Sequence, residues 1–196
     1  MEKISTIHDR AVPLPIEDID TDQIIPARFL KATTREGFGE KVFNDWRYDG
    51  EGQPKADFVL NQSTYRGSIL VAGNNFGCGS SREHAVWALY DYGFRVVIAP
   101  RFADIFKSNA LNNGLLPVAL TAEAVDQITT AVINNPETKI TVKLEEQEVW
   151  LEDECVGLFE INPYKKHCLQ NGFDDTDYLL SILDEISTFE KEHQPY

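Results

Sequence analysis

Apolar residues fall in short blocks separated by glycine, proline and acids, and the spacing within each block predicts an element. Ser68-Ile69-Leu70-Val71-Ala72 is a nearly continuous apolar run closed by Gly73, the pattern of a buried strand. Ser81 to Tyr92 sets Ala85, Ala88, Leu89 and Tyr92 on one helical face, with Gly93 as the stop. Val96-Val97-Ile98-Ala99 reads as a second buried strand, so strand, helix and strand form a βαβ unit. Such a unit implies parallel pairing and a right-handed crossover. Further on, the spacing predicts a helix over Arg101 to Asn112 and a third strand over Leu115 to Leu120. Thr121 then caps a helix that carries Val125, Ile128 and Val132 on one side. Lys139 to Leu144 and Glu148 to Leu151 alternate as an antiparallel hairpin does, and Asn162 to Glu192 is mostly helical.

The N-terminal part is less regular. Ala11-Val12-Pro13-Leu14 reads as a short edge strand, because proline donates nothing to a central ladder. Ile19-Asp20-Thr21-Asp22-Gln23-Ile24-Ile25-Pro26 packs polar residues between apolar ones, and Pro26 suits the first position of a helical turn through Ala27-Arg28-Phe29-Leu30. Residues 31–56 hold Gly37, Gly39, Gly50, Gly52 and Pro54 with Phe38, Phe43 and Trp46 among them. They read as a long, partly ordered loop whose aromatic residues either serve function or an interface, or pack back on the domain.

Composition narrows the function. In 196 residues, 18 Lys and Arg against 32 Asp and Glu leave a formal charge of −14, which argues against a nucleic-acid or anionic-membrane binder. A hydrophobic share of 42% is that of a folded core, and no run approaches the roughly 18 apolar residues of a membrane span. The first ten residues lack the apolar core of a signal peptide. Cys78, Cys155 and Cys168 are odd in number, with no metal-type spacing, which fits a cytoplasmic protein with reduced thiols. Cys155 and Cys168 are read as packing residues, and His167 as part of a solvated helix face.

The densest chemistry is Gly73-Asn74-Asn75-Phe76-Gly77-Cys78-Gly79-Ser80-Ser81-Arg82-Glu83-His84, between a buried strand and a helix. In an open α/β sheet, ligands bind at this carboxyl edge of the strands. Glycines allow close approach, the helix start favours an anion, and Arg82 brings a fork that fits a carboxylate or phosphate. No lysine follows as a P-loop requires, Arg82 stands where GxGxxG needs glycine, and Gly79-Ser80-Ser81 is not GxSxG. Two further alternatives stay open: a thiol hydrolase using Cys78 and His84, and serines that merely cap the helix. Glu83 and His84 are read as structural.

Gly77-Cys78-Gly79-Ser80-Ser81-Arg82-Glu83-His84-Ala85 resembles the GSSREHA signature of the aconitase superfamily's swivelling domain. The Ile19 to Pro26 segment resembles that family's TD-type signature. Phe102-Ala103-Asp104-Ile105-Phe106, with Asn109 and Asn112 to Pro117, resembles its third block, and Phe43 to Arg47 resembles the bacterial 3-isopropylmalate dehydratase small-subunit branch. The likeness runs from about Pro13 to the C-terminal helices. It implies an α/β fold: a three-layer β/β/α swivelling domain with a mostly parallel central sheet, residues 1–196 forming one such domain with a helical C-terminal extension. It also implies a hydro-lyase that isomerises a malate-like dicarboxylic acid in leucine biosynthesis and works only with a large subunit. A [4Fe–4S] cluster is expected in that partner, with no metal or cofactor in this chain. By position, Ser80 matches the catalytic base, Ser81 and Arg82 the substrate-carboxylate contacts, and Asp22 a supporting residue that orients cationic groups, expected to act across the subunit boundary. Arg28, Phe29, Leu30 and Lys31 form a candidate specificity loop, in which Phe29 and Leu30 either present apolar surface to a substrate side chain or pack as a helical turn. A related hydro-lyase of homoaconitase or citraconate type, and a non-enzymatic interaction protein of the same fold, are the alternatives.

Overall fold

The computed structural model describes residues 1–31 and 36–193. The remaining part of the 31–56 loop expectation, residues 32–35, lies outside the described residues. The elements run β1 (Thr6–Leu14), α1 (Thr21–Ile24), α2 (Asn44–Arg47), β2 (Ile69–Ala72), α3 (Glu83–Tyr92), β3 (Val96–Ala99), α4 (Asp104–Asn112), β4 (Leu116–Ala119), α5 (Ala122–Asn134), β5 (Lys139–Lys143), β6 (Glu148–Leu151), β7 (Glu154–Leu158), α6 (Pro163–Asn171), α7 (Asp175–Ser181) and α8 (Leu183–Glu192), joined by short 3₁₀ turns.

Seven strands form one sheet in the order β4-β3-β2-β1-β5-β6-β7. The pairs from β4 to β1 are parallel, and those from β1 to β7 antiparallel. The switch happens inside β1: residues 6–10 pair with β5, and 11–14 pair with β2. The expected short edge strand at Ala11 to Leu14 is therefore the second half of a nine-residue strand in mid-sheet. Pro13, in register with Val71, falls in the half of β1 that is paired on one side only, where a residue without an N–H is better tolerated than in a strand paired on both sides.

Period-two alternation in the parallel strands feeds two cores. Leu70, Ala72, Val97 and Ala99 face α3, α4 and the aromatic loop, while Ile69, Val71, Val96 and Ile98 face α5 and the curled antiparallel half. Ile140 and Val142 of β5 and Val149 of β6 join that second core, so the curl lays one half-sheet over the other and leaves α3 and α4 as the outer helical layer. The α/β swivelling architecture is the one the resemblance implied.

Local differences from the expected boundaries have local causes. α3 begins at Glu83, not Ser81, because Arg82 is extended (φ −107°, ψ 105°) and the chain before it is tied to a neighbouring loop. For α4, Asp104 is the first residue rather than Arg101, since Phe76 N–H donates to Arg101 O at 3.0 Å and Ala103 N–H to Phe76 O at 3.1 Å. Thr121 caps α5 as expected, its side chain accepting from Ala124 N–H. The hairpin gains a third strand, β7, in which Gly157 and the exposed Cys155 and Leu158 give no alternating apolar signal. Cys155 is thus no packing residue, whereas Cys168 is buried.

In the described part of the long loop, the aromatic residues pack back on the domain. Phe38 and Phe43 are buried, and Trp46 stacks on Phe43 with centroids 5.5 Å apart. Arg47 ties the segment down through Asn61 and the carbonyls of Gly39 and Val42.

Candidate active site

Three loops leave the carboxyl ends of β1, β2 and β3 and lie side by side. The loop after β2, which carries the serines, is the middle one and is hydrogen-bonded to both neighbours. On one side, Gly77 N–H and Cys78 N–H donate to Ile19 O (2.8 and 3.2 Å), Thr21 N–H donates to Cys78 O (2.9 Å), and Asp18 N–H donates to Asn74 O (2.9 Å). On the other, Phe76 pairs with Phe102 as a short parallel bridge. Gly77 is what lets the loop pass: its φ is +75°, and a Cβ there would stand 2.6 Å from Cβ and Cδ2 of Phe106. Phe106 cannot retreat, because it is buried between Phe76 and Phe102.

The facing loop is held by α1. Asp20 caps it, accepting from Gln23 N–H at 2.8 Å, while Gln23 Oε1 accepts from Asp20 N–H at 2.8 Å. This reciprocal box satisfies two backbone donors at once. It leaves Thr21 pointing inward and Asp22 outward, the one buried and the other exposed.

The residues singled out in the sequence meet here. Ser80 and Ser81 are both exposed, just ahead of α3. Arg82 Nη1 donates to Asp22 Oδ1 in an ion pair whose side chains are 16% and 52% exposed. Asp22 thus pairs with a cation of its own chain. A guanidinium carries five N–H donors in a rigid fork, so engaging one nitrogen with Asp22 leaves other donors for a second anion. Helix capping does not account for the serines: Arg82 is the residue at the N-cap of α3, and no side chain caps that helix.

The thiol alternative also finds no support. Cys78 Sγ donates to Asp18 O at 3.4 Å, and burial, followed by the charges of Asp20 and Asp18, pushes its thiol up from the ordinary value. His84 turns instead to Trp87 and Phe38, with centroids 4.5 and 5.5 Å away. Glu83 Oε1 accepts from Asn113 Nδ2 at 2.9 Å, linking α3 to α4.

The candidate specificity loop lies directly after α1 in the chain. Arg28 is exposed and bound to Asp45 and, at 2.8 Å, to Asn44 Oδ1 of α2. Phe29 and Leu30 are half-buried against the aromatic core, with the Arg28 guanidinium 4.6 Å from the Phe29 centroid, and Lys31 is exposed. Arg28 is thus engaged with α2, while the two apolar residues pack as a turn with one side open.

Sequence reasoning missed Thr21. It is 2% exposed, and its Oγ1 donates to Ser80 O at 2.8 Å. The available signal was the D-x-x-Q capping pattern of Asp20 to Gln23, which fixes which side of the turn faces in.

Among the described residues, no three His, Cys, Asp or Glu side chains converge as a metal ion requires. The residues present therefore do not fit an iron–sulfur cluster, which needs converging thiolates.

The serine loop lies at the carboxyl edge of the parallel half of the sheet with Arg82 fixed beside it, an arrangement that fits the aconitase-type swivelling domain implied by the resemblance. The sequence matches the aconitase C-terminal domain family over residues 1–123. It is 58% identical to the 3-isopropylmalate dehydratase small subunit of Cytophaga hutchinsonii, over 97% of this chain and 96% of that one. With the protein of the same name from Christiangramia forsetii the identity is 55%, over 99% and 95%. A crystal structure of 3-isopropylmalate dehydratase (leuD) from Methanocaldococcus jannaschii superposes with a TM-score of 0.68 at 27% identity, covering 93% of this chain and 98% of that one. The chain belongs to the 3-isopropylmalate dehydratase small-subunit family.

Proposed function

We propose that this chain is the small subunit of a 3-isopropylmalate dehydratase, a lyase of leucine biosynthesis, in which Ser80 is the base and Ser81 and Arg82 hold a substrate carboxylate. The reaction removes water from 2-isopropylmalate to give 2-isopropylmaleate and returns it at the neighbouring carbon to give 3-isopropylmalate. One reading of residues 1–196 fits this role: a single swivelling domain with a helical extension, working in the cytoplasm with a large subunit. When bound in that subunit, the [4Fe–4S] cluster supplies a Lewis acid for the departing hydroxyl. No described helix is long and apolar enough to cross a membrane.

The observation that carries this reading is the Asp22–Arg82 pair beside the exposed Ser80 and Ser81. Ser80, with its Oγ as the alkoxide, takes the proton from the carbon next to a carboxylate and becomes the neutral hydroxyl; the C–H electron pair moves toward that carboxylate and ends as the C=C bond as the C–O bond on the adjacent carbon breaks and the hydroxyl leaves. Negative charge grows on the carboxylate during this step, so donors already aimed there stabilise the transition state more than the ground state. A serine hydroxyl is a weak base unless its alkoxide is stabilised. The positive end of α3, which starts three residues after Ser80, lowers that cost, as does the guanidinium.

The test is reconstitution with the large subunit under anaerobic conditions, followed by assay on 2-isopropylmalate, homocitrate-type and citraconate-type acids. Ser80→Ala should lose nearly all turnover while still forming the complex. Retained turnover would remove Ser80 from the base role, and higher kcat/KM on another acid would reassign the substrate.

A further inference from the structure

We infer that Thr21 is a positioning residue for Ser80: its buried hydroxyl, donating to the Ser80 carbonyl, sets the orientation of the base. The inference rests on the assignment of Ser80 made above. Thr21 is locked at both ends. Its N–H donates to Cys78 O at 2.9 Å, its Oγ1 donates to Ser80 O at 2.8 Å, and its side chain sits in the first turn of α1 behind the Asp20–Gln23 box. The two bonds straddle Gly79, whose φ of +87° places it in the region where only glycine turns freely, so they hold the chain on either side of its most permissive residue. Because the peptide is planar and trans, fixing the Ser80 carbonyl fixes the whole plane between Ser80 and Ser81. The backbone on both sides of the Ser80 Cα is thereby restrained from the neighbouring loop, and with it the direction in which the side chain leaves. Ser80 itself is exposed, so packing does not do this.

The neighbouring residue does a parallel job. Asp22 holds Arg82, so two consecutive residues of one turn hold two of the residues assigned to the reaction. Ser80 O also accepts from Arg82 N–H at 2.8 Å, so loss of the Thr21 hydroxyl does not strand a buried acceptor. Valine fills the same volume without the donor, and serine keeps the donor without the methyl group.

In the reconstituted complex, Thr21→Val should lower kcat about 10- to 100-fold, the scale of a displacement near 1 Å at a reacting group, with KM changed little. Thr21→Ser should restore most of kcat. With substrate deuterated at the carbon that loses its proton, the isotope effect on kcat should rise in Thr21→Val, because a misplaced base makes proton removal more rate-limiting. A kcat and isotope effect equal to wild type in Thr21→Val would overturn the proposal while leaving the base assignment intact, provided Ser80→Ala is inactive. If Ser80→Ala is active, the base assignment itself fails. If Thr21→Val does not fold, Thr21→Ala, which also removes the donor, is compared with Thr21→Ser, which keeps it: lower kcat and a raised isotope effect in Thr21→Ala but not in Thr21→Ser support the role of the hydroxyl, and equal kcat and isotope effects in the two variants overturn it.

Discussion

Replacing Gly77 by alanine perturbs the turn beneath the serine loop in two separable ways. The backbone there is left-handed, with φ +75°. Holding a non-glycine residue in that region costs about 1–2 kcal/mol. The new Cβ would also stand 2.6 Å from two atoms of Phe106, a buried ring with no room to move. Overpacking of this kind costs about 1–3 kcal/mol. The sum, about 2–5 kcal/mol, corresponds to a fall in Tm of roughly 4–20 °C for a domain of this size. Gly52 supplies the control: its φ is +80°, and a Cβ there meets nothing within 4 Å. Gly52→Ala therefore carries the backbone cost alone, and any gain from a stiffer unfolded chain is common to both variants and cancels in the comparison. Urea and thermal unfolding of wild type and the two variants measure the difference. Gly77→Ala should be the less stable by about 1–3 kcal/mol. A difference near zero would refute the claim that contact with Phe106 requires glycine at this position.

Two further outcomes follow from titration and exposure. Burial alone would raise the Asp9 carboxyl, but the Ser68 hydroxyl (2.7 Å), Ser68 N–H (2.8 Å) and Arg10 N–H (2.8 Å) outweigh it and hold the group below the usual carboxylate range. A depressed folded value stabilises the protein above the unfolded pKa, near 3.9, and that contribution is lost as pH falls through the folded value. Unfolding free energy measured from pH 6 to pH 2 should therefore fall less steeply below about pH 4 in Asp9→Asn than in wild type; identical acid limbs would refute the assignment. With iodoacetamide at pH 7.5, Cys155 should label first and Cys78 more slowly, while Cys168 should label only on unfolding, as read by peptide mass spectrometry. Cys78 reacting fastest would contradict its raised thiol pKa.

The candidate specificity loop shows where local pattern stops being informative. Phe29 and Leu30 are apolar, which fits both a packed turn and a substrate contact; the fold makes them half-buried on the aromatic core and engages Arg28 with Asp45. The same limit applied to Phe38, Phe43 and Trp46, whose role as interface or core depended on residues far along the chain, such as the Trp87 ring against Phe38.

By itself the sequence determined the βαβ unit, the two later helices, the hairpin and the loop that carries Ser80 to Arg82. Each of these depends on apolar spacing or a glycine within one short stretch, and burial of one face imposes that spacing locally. Only the tertiary structure decided that β1 lies in mid-sheet, that α3 starts two residues late, that Asp22 pairs with Arg82, and that Thr21 holds Ser80. The last two contacts join residues 60 and 59 positions apart. They exist because parallel pairing of β1 with β2 brings the carboxyl ends of both strands to the same edge of the sheet, a proximity to which the spacing within either segment is blind.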